Sequence, residues 1–349
     1  MVIFKVLLYP FAVLYNLITR FRNHLYNIGY TKSFRFQRMV IGVGNLNTGG
    51  SGKTPMIEYM IRSLKSNYHL ATLSRGYGRR TKGIRFASDR EDAVTLGDEP
   101  YQFFRKFGNE VHVVVAEERA LAIPQILLEF PETDVILLDD AFQHRGVEPQ
   151  FSVLMTEFRM PFYHDFLLPA GRLRESRRGA RRADIIIVTK CPSDLPEEKI
   201  SDITRCIEHY SGPKPIFFSG VSYDPPVPFG DGNSVPTEVI LVSGLADASQ
   251  FESYAKSNFD VLHHFKFGDH HHYSRRDLTT LARFYEAQKG KPAFLTTEKD
   301  MVKLIGPLFQ QEIQALPWFY LPVKTFFLKN GPDFDNLIIR SIKTSGQGT

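Results

Sequence analysis

Residues 41–55, IGVGNLNTGGSGKTP, decide how the rest of the chain is read. The apolar run RMVIGVGN enters this stretch as a buried strand, and residues 53–64 leave it with apolar side chains at helical spacing, Pro55 fitting the first turn. Between them, Gly49, Gly50, Ser51, Gly52, Lys53 and Thr54 keep what phosphate binding requires. Glycines let backbone N–H groups close around phosphate oxygens at a helix N-terminus, where negative charge is favoured. Lys53 is then expected to reach the β and γ phosphates and Thr54 to offer its hydroxyl to Mg²⁺. Asn47 stands where the motif's first glycine belongs, and asparagine is the residue besides glycine that best tolerates left-handed backbone. Asn47 and Thr48 thus complete an expected nucleotide-binding loop over residues 47–54. A glycine-rich turn without a ligand is the competing reading, and the order strand, loop, helix argues against it.

Outward from the loop, the β-like runs HLATLS, VHVVVA, DVILLDD, FSVLMT and DIIIVTK alternate with helical stretches such as PYQFFRKF and RALAIPQILLEF. Near-continuous apolar strands alternating with helices imply an α/β fold, a P-loop NTPase-like, mostly parallel sheet with helices on both faces. Residues 222–236, SYDPPVPFGDGNSVP, read as a linker or crossing. The runs EVILVSGLA, FDVLHHFKF, KPAFLTTEKD and WFYLPVKTFF after it suggest a smaller C-terminal α/β domain.

A chain of 349 residues with 43% hydrophobic content can bury a sizeable core, which excludes a disordered or fibrous protein. Its two cysteines, Cys191 and Cys206, match no metal or disulfide framework and suit a reducing compartment. The net charge of +5 says little alone. Its distribution says more: GRLRESRRGARRAD packs Arg172, Arg174, Arg177, Arg178, Arg181 and Arg182 into one run, able either to grip phosphate bidentately or to form a solvated helix face. Residues 1–36 begin with an apolar run broken by Lys5 and Pro10 and turn basic at Arg20, Arg22, Lys32 and Arg35. With no basic start or cleavage site for a signal peptide, this is read as an amphipathic helix lying in a membrane interface, a short span and a core helix being the alternatives.

Three polar constellations remain. DVILLDDAFQH ends an apolar strand in Asp139 and Asp140, carboxylates expected beside the loop to manage a metal ion. TLGDEP places Asp98 and Glu99 before a helix, where N-capping is the plain explanation. FGDHHHYSRRD places His270, His271 and His272 in succession; they lack the spacing of a zinc site, so one histidine polarised by a carboxylate is expected to do acid/base work at an interdomain cleft.

Taken in order, VGNLNTGGSGKTP, SRGYGR, GDEP, LLDDAFQH, LPAGRLRE, FGDHHHY and TEKD resemble the tetraacyldisaccharide 4'-kinase (lipid A 4'-kinase) family over nearly the whole chain. The resemblance implies an ATP- and Mg²⁺-dependent enzyme of Gram-negative bacteria at the cytoplasmic face of the inner membrane. It would phosphorylate the 4'-hydroxyl of the lipid A disaccharide 1-phosphate to give lipid IVA; nothing in the sequence requires more than a monomer, and no nucleic-acid partner is expected. It also implies Lys53, Asp98 and His270 as catalytic, Thr54, Glu99, Asp139 and Asp140 as metal-handling, and Arg174, Gln143 and His144 as substrate-binding. The expected division is a membrane-associating segment over 1–36, a P-loop kinase domain over 37–221, a linker over 222–236 and the smaller domain over 237–349. A membrane-recruited P-loop ATPase switch would share the loop and the amphipathic start, but its signature lysine is replaced by Thr48. A GTPase would need a base-reading Asn-Lys-x-Asp element, and VTKCPSD offers Lys190 and Asp194 at shifted spacing.

Overall fold

The computed structural model describes residues 2–232, 234 and 237–346; residues 1, 233, 235, 236 and 347–349 of the expected segments lie outside the described residues. In chain order the elements are α1 (Val2–Asn27), β1 (Met39–Asn45), α2 (Lys53–Leu64), β2 (Leu70–Ser74), β3 (Arg85–Phe86), α3 (Ala93–Leu96), α4 (Asp98–Phe107) and β4 (Val111–Val115). There follow α5 (Arg119–Glu129), β5 (Val135–Asp139), β6 (Phe151–Glu157), β7 (Ile185–Thr189), α6 (Glu197–Ser211), β8 (Ile216–Tyr223), β9 (Val227–Pro228), β10 (Glu238–Ser243) and α7 (Ser249–Asn258). The chain ends with β11 (Asp260–Lys266), α8 (Arg275–Glu286), β12 (Ala293–Thr297), α9 (Glu298–Leu304), α10 (Gln310–Gln314), β13 (Trp318–Leu321), β14 (Val323–Phe327) and α11 (Gly331–Gly346).

Nine strands form the larger sheet in the order β14-β8-β7-β6-β1-β5-β2-β4-β3, parallel except at its two edges. β1 is central and wholly buried, as its apolar run requires. On one face Met56, Ile57, Met60 and Ile61 of α2 pack with Ile41, Val43, Leu137 and Val153. On the other, the segment joining β5 to β6 crosses β1 so closely that a Cβ at Gly42 would sit 2.8 Å from Pro149 and one at Gly44 2.8 Å from the Phe142 nitrogen. Pairing of β1 with β5 brings Val43 opposite Asp139, so the loop after β1 and the two aspartates share one carboxyl edge.

The smaller sheet runs β11-β10-β12-β13-β9. Two features differ from the expected division. β9 lies inside the stretch read as a linker and pairs antiparallel with β13. The consecutive strands β13 and β14 enter different sheets, β14 pairing antiparallel with β8. α11 then sends Phe334, Ile338 and Ile342, spaced by one helical turn, into the core of the larger sheet, while Asp335 accepts hydrogen bonds from Tyr59 and Ser63 of α2. Residues 323–346 therefore complete the first body, not the smaller one.

α1 lies against the larger body. Ala12 and Thr19 are buried, the Tyr15 hydroxyl donates to the Arg174 carbonyl at 2.9 Å, and Asn23 donates to Glu175 at 3.2 Å. Leu7, Phe11, Leu14, Leu17, Ile18 and Phe21 remain exposed. Among the described residues, no helix is long and apolar enough to cross a membrane.

Candidate phosphoryl-transfer site

The strand end supplies the loop's first anchor. Asn45 donates from its side chain to the Asn47 carbonyl at 2.7 Å, and its Oδ1 accepts from Lys53 at 3.1 Å and from Arg174 at 2.7 Å. Gly49 (φ 108°) and Gly52 (φ 79°) take the left-handed conformations that turn the loop into α2. Asn47 does not: it replaces the motif's first glycine without positive φ, and its side chain is tied to Asp165 at 2.8 Å. The left-handed role expected for Asn47 is thus corrected to an anchoring one. α2 begins at Lys53 with no side-chain cap, leaving first-turn N–H groups for a ligand, with Thr54 in that turn. The Ser51 hydroxyl is buried with no partner, as expected of a loop shaped around phosphate.

The aspartates divide the work. Asp140, itself at φ 48°, takes both ends of the Arg174 guanidinium at 2.7 and 2.8 Å and Lys53 at 3.3 Å, while its carbonyl accepts from the buried Arg119 at 2.9 Å. Burial opposes its ionisation, but the Arg174 bonds and the Lys53 charge outweigh it and hold the carboxyl well below the usual range. Asp139 accepts the Asp140 N–H at 2.8 Å and is pushed up to about 7 by burial and then by the negative charge of Glu99. Asp139 thus sits against the negative charge of Glu99 despite the nearby Lys53 and Arg119, and Glu99 itself reaches Lys299 at 3.4 Å; two carboxylates facing one another in this way fit a divalent cation. Among the described residues there is no cluster of three or more His, Cys, Asp or Glu able to hold a metal alone. Mg²⁺ does not need one, since it takes one or two carboxylates with phosphate oxygens and water.

A stability prediction follows. Asp139 is protonated more readily folded than unfolded, so its penalty is fully present above pH 7, fades as pH falls towards its unfolded value near 4, and is absent below it. Asp139→Asn, which keeps an acceptor for the Asp140 N–H, is expected to stabilise the ligand-free protein by about 1–3 kcal/mol at pH 8. In urea unfolding the gain should shrink by pH 5; an equal gain at both values contradicts it.

Asp98 does not cap its helix. It is the first residue of α4, follows Gly97 and makes no cap bond; its Oδ2 instead lies 3.2 Å from His270 Nδ1. His270 comes from the segment between β11 and α8 at φ 54°, with the exposed Tyr77 ring tilted against it at 4.9 Å. The carboxylate of one body and the imidazole of the other thus meet, as expected of an interdomain pair. The neighbouring histidines point elsewhere: His271 pairs with Asp277 at 3.2 Å and stacks on Phe267, and His272 is exposed.

Gln143 donates to the Asn45 carbonyl and to Glu175, both at 3.0 Å, and its own carbonyl oxygen is buried without a partner. His144 is pushed down to about 4 by burial and by the charges of Arg119 and Arg75. It lines an open cavity of about 930 Å³ between the segment after α1 and the crossing over β1, with Lys32, Arg35 and Arg145 around it. The arginine run is neither a helix face nor a free phosphate grip. Arg172 pairs with Asp165, Arg177 bonds the Asp165 carbonyl and Tyr210, and Arg182 forks onto Glu175, leaving Arg178 and Arg181 exposed on a short 3-10 turn. Sequence reasoning missed Asn45, Glu175 and Lys299. The buried Glu175 gathers Asn23, Gln143 and Arg182, and Lys299 contacts both Glu99 and His270. All three lie in runs that carry the resemblance, Asn45 in VGNLNTGGSGKTP, Glu175 in LPAGRLRE and Lys299 in TEKD.

Sheet order, loop and acidic pair define a P-loop NTPase-type α/β protein whose site lies where two sheets meet. The family model for LpxK, tetraacyldisaccharide-1-P 4'-kinase, matches residues 4–343, and the chain belongs to that family. It is 42% identical to the tetraacyldisaccharide 4'-kinase of Flavobacterium psychrophilum over 97% of each chain. It is 39% identical to that of Bacteroides thetaiotaomicron over 96% of this chain and 93% of the relative. The solved structure of LpxK from Aquifex aeolicus in complex with ATP superposes with a TM-score of 0.75 at 31% identity, covering 97% of this chain and 99% of that one.

Proposed function

We propose that the chain transfers the γ-phosphate of ATP to the 4'-hydroxyl of tetraacyldisaccharide 1-phosphate, giving lipid IVA. The observation that supports this best is the Asp98–His270 pair, joined across the two bodies beside a phosphate loop. Asp98 receives the hydroxyl proton late in a loose transition state, and His270 holds that carboxylate in position. Lys53 stands by the transferred group, with Asp140 orienting it and Arg174 keeping Asp140 ionised and in place. Asp139, Glu99 and Thr54 are the residues that would hold Mg²⁺, which would supply positive charge to the phosphate groups when bound. Gln143, His144 and Arg174 border the acceptor side, where α1 reaches Arg174 and Glu175 through Tyr15 and Asn23. A membrane-recruited ATPase switch has no use for an acid/base pair spanning two bodies. Label moving from γ-labelled ATP to the disaccharide in detergent micelles tests the reading.

The exposed apolar side of α1 lies in the cytoplasmic leaflet of the inner membrane, with nearby basic residues facing anionic headgroups. Because α1 also bonds Arg174 and Glu175, deleting it would disturb the site as well. Leu14→Asp, Leu17→Asp and Phe21→Asp change only exposed positions. The triple variant is expected to lose at least about tenfold in binding to anionic vesicles, since each buried apolar side chain contributes roughly 1.5–3 kcal/mol. It should keep its fold by circular dichroism, and unchanged sedimentation with vesicles would remove the anchoring role.

A further inference from the structure

In TEKD three of the four side chains are accounted for by packing. Thr297 caps α9 through the Asp300 N–H; Glu298 is buried against Lys106 at 2.6 Å; Asp300 pairs with Lys303 at 2.7 Å and accepts the Gly244 N–H at 2.9 Å. These contacts pin the start of α9 and direct Lys299 into the site. Its ammonium lies 3.4 Å from Glu99 and 3.3 Å from His270 Nε2. An ammonium has hydrogens to give and no lone pair, so Nε2 must be the acceptor. The ring's single N–H is then on Nδ1, which faces Asp98 at 3.2 Å. A doubly protonated ring would set an N–H against the ammonium, and the other carboxylate near Nε2, that of Asp269, is 4.0 Å away.

We propose that Lys299 is a positioning residue for the transfer: it holds His270 in the tautomer with hydrogen on Nδ1, so that the ring donates to Asp98 and leaves Asp98 as the proton acceptor. This rests on the reading of Asp98 and His270 as the acid/base pair. It also gives the imidazole an orienting group from its own body, in the way that a third group orients the base in other catalytic constellations.

Two measurements on the full chain in micelles decide it. In long-range ¹⁵N–¹H spectra of the wild type, with the His270 signals assigned by their loss in His270→Gln, the proton is expected on Nδ1; a proton on Nε2 overturns the proposal. In kinetics, Lys299→Met should lower kcat by about tenfold or more with little change in the KM for ATP, and by less than about twofold when His270 is already alanine. Equal losses in both backgrounds would mean that the lysine acts on the fold or elsewhere in the site, and would also overturn it. Should His270→Ala leave kcat intact, the acid/base reading fails while the wild-type spectrum still decides the lysine's contact. That spectrum also decides the matter if Lys299→Met does not fold.

Discussion

Lys53→Ala is expected to lower kcat by about 10³-fold, roughly 4 kcal/mol of transition-state stabilisation, with the fold intact. The lysine's ammonium is held by Asn45 and Asp140 at the mouth of the loop, so it meets the transferred phosphate already oriented. Its removal does not strand a charge: Asp140 keeps both bonds from Arg174, and Arg119 still holds the Asp140 carbonyl. The loss should therefore appear in steady-state kinetics and not in thermal unfolding. A fall of less than about tenfold, or one that tracks a lower melting temperature, would remove Lys53 from the phosphate.

Asp98→Ala and His270→Ala are each expected to lower kcat by about 10²-fold, and the double variant is expected to be scarcely worse than either. The non-additivity follows from the geometry. Asp98 is the acceptor and His270 touches the reaction through it, so removing one leaves the other without a task. Affinity for ATP should change little in all three, because neither side chain belongs to the loop. Losses that multiply in the double variant would show two independent residues, even with the overall reaction unchanged.

Much of this was legible in the sequence, and the gaps have physical causes. The strand before the loop, α2 and the aspartates after β5 could be read because apolar periodicity and glycine placement are local signals. The polar runs alone called for one histidine polarised by a carboxylate; that the two are Asp98 and His270 was named only through the family resemblance, and the structure places them 3.2 Å apart. The address of β14 was not readable: WFYLPVKTFF marks two strands, but whether the second joins its neighbour or crosses back to β8 depends on partners some hundred residues distant. The arginine run misled for the opposite reason. Composition shows six cations in one stretch but not which carboxylates they meet: Asp140 comes from just after the end of β5, Asp165 stands seven residues before Arg172, and Glu175 lies inside the run itself. Asn47 was rightly placed in the loop, but its tie to Asp165 is a tertiary contact that no propensity encodes.

The central claim, phosphoryl transfer to a lipid disaccharide, is tested most directly by supplying γ-labelled ATP, Mg²⁺ and tetraacyldisaccharide 1-phosphate to the full chain in detergent micelles. The label is expected on the 4' position of the disaccharide, with little inorganic phosphate formed when the lipid is omitted. Label released as inorganic phosphate at the same rate with and without the lipid, and none on the sugar, would contradict it.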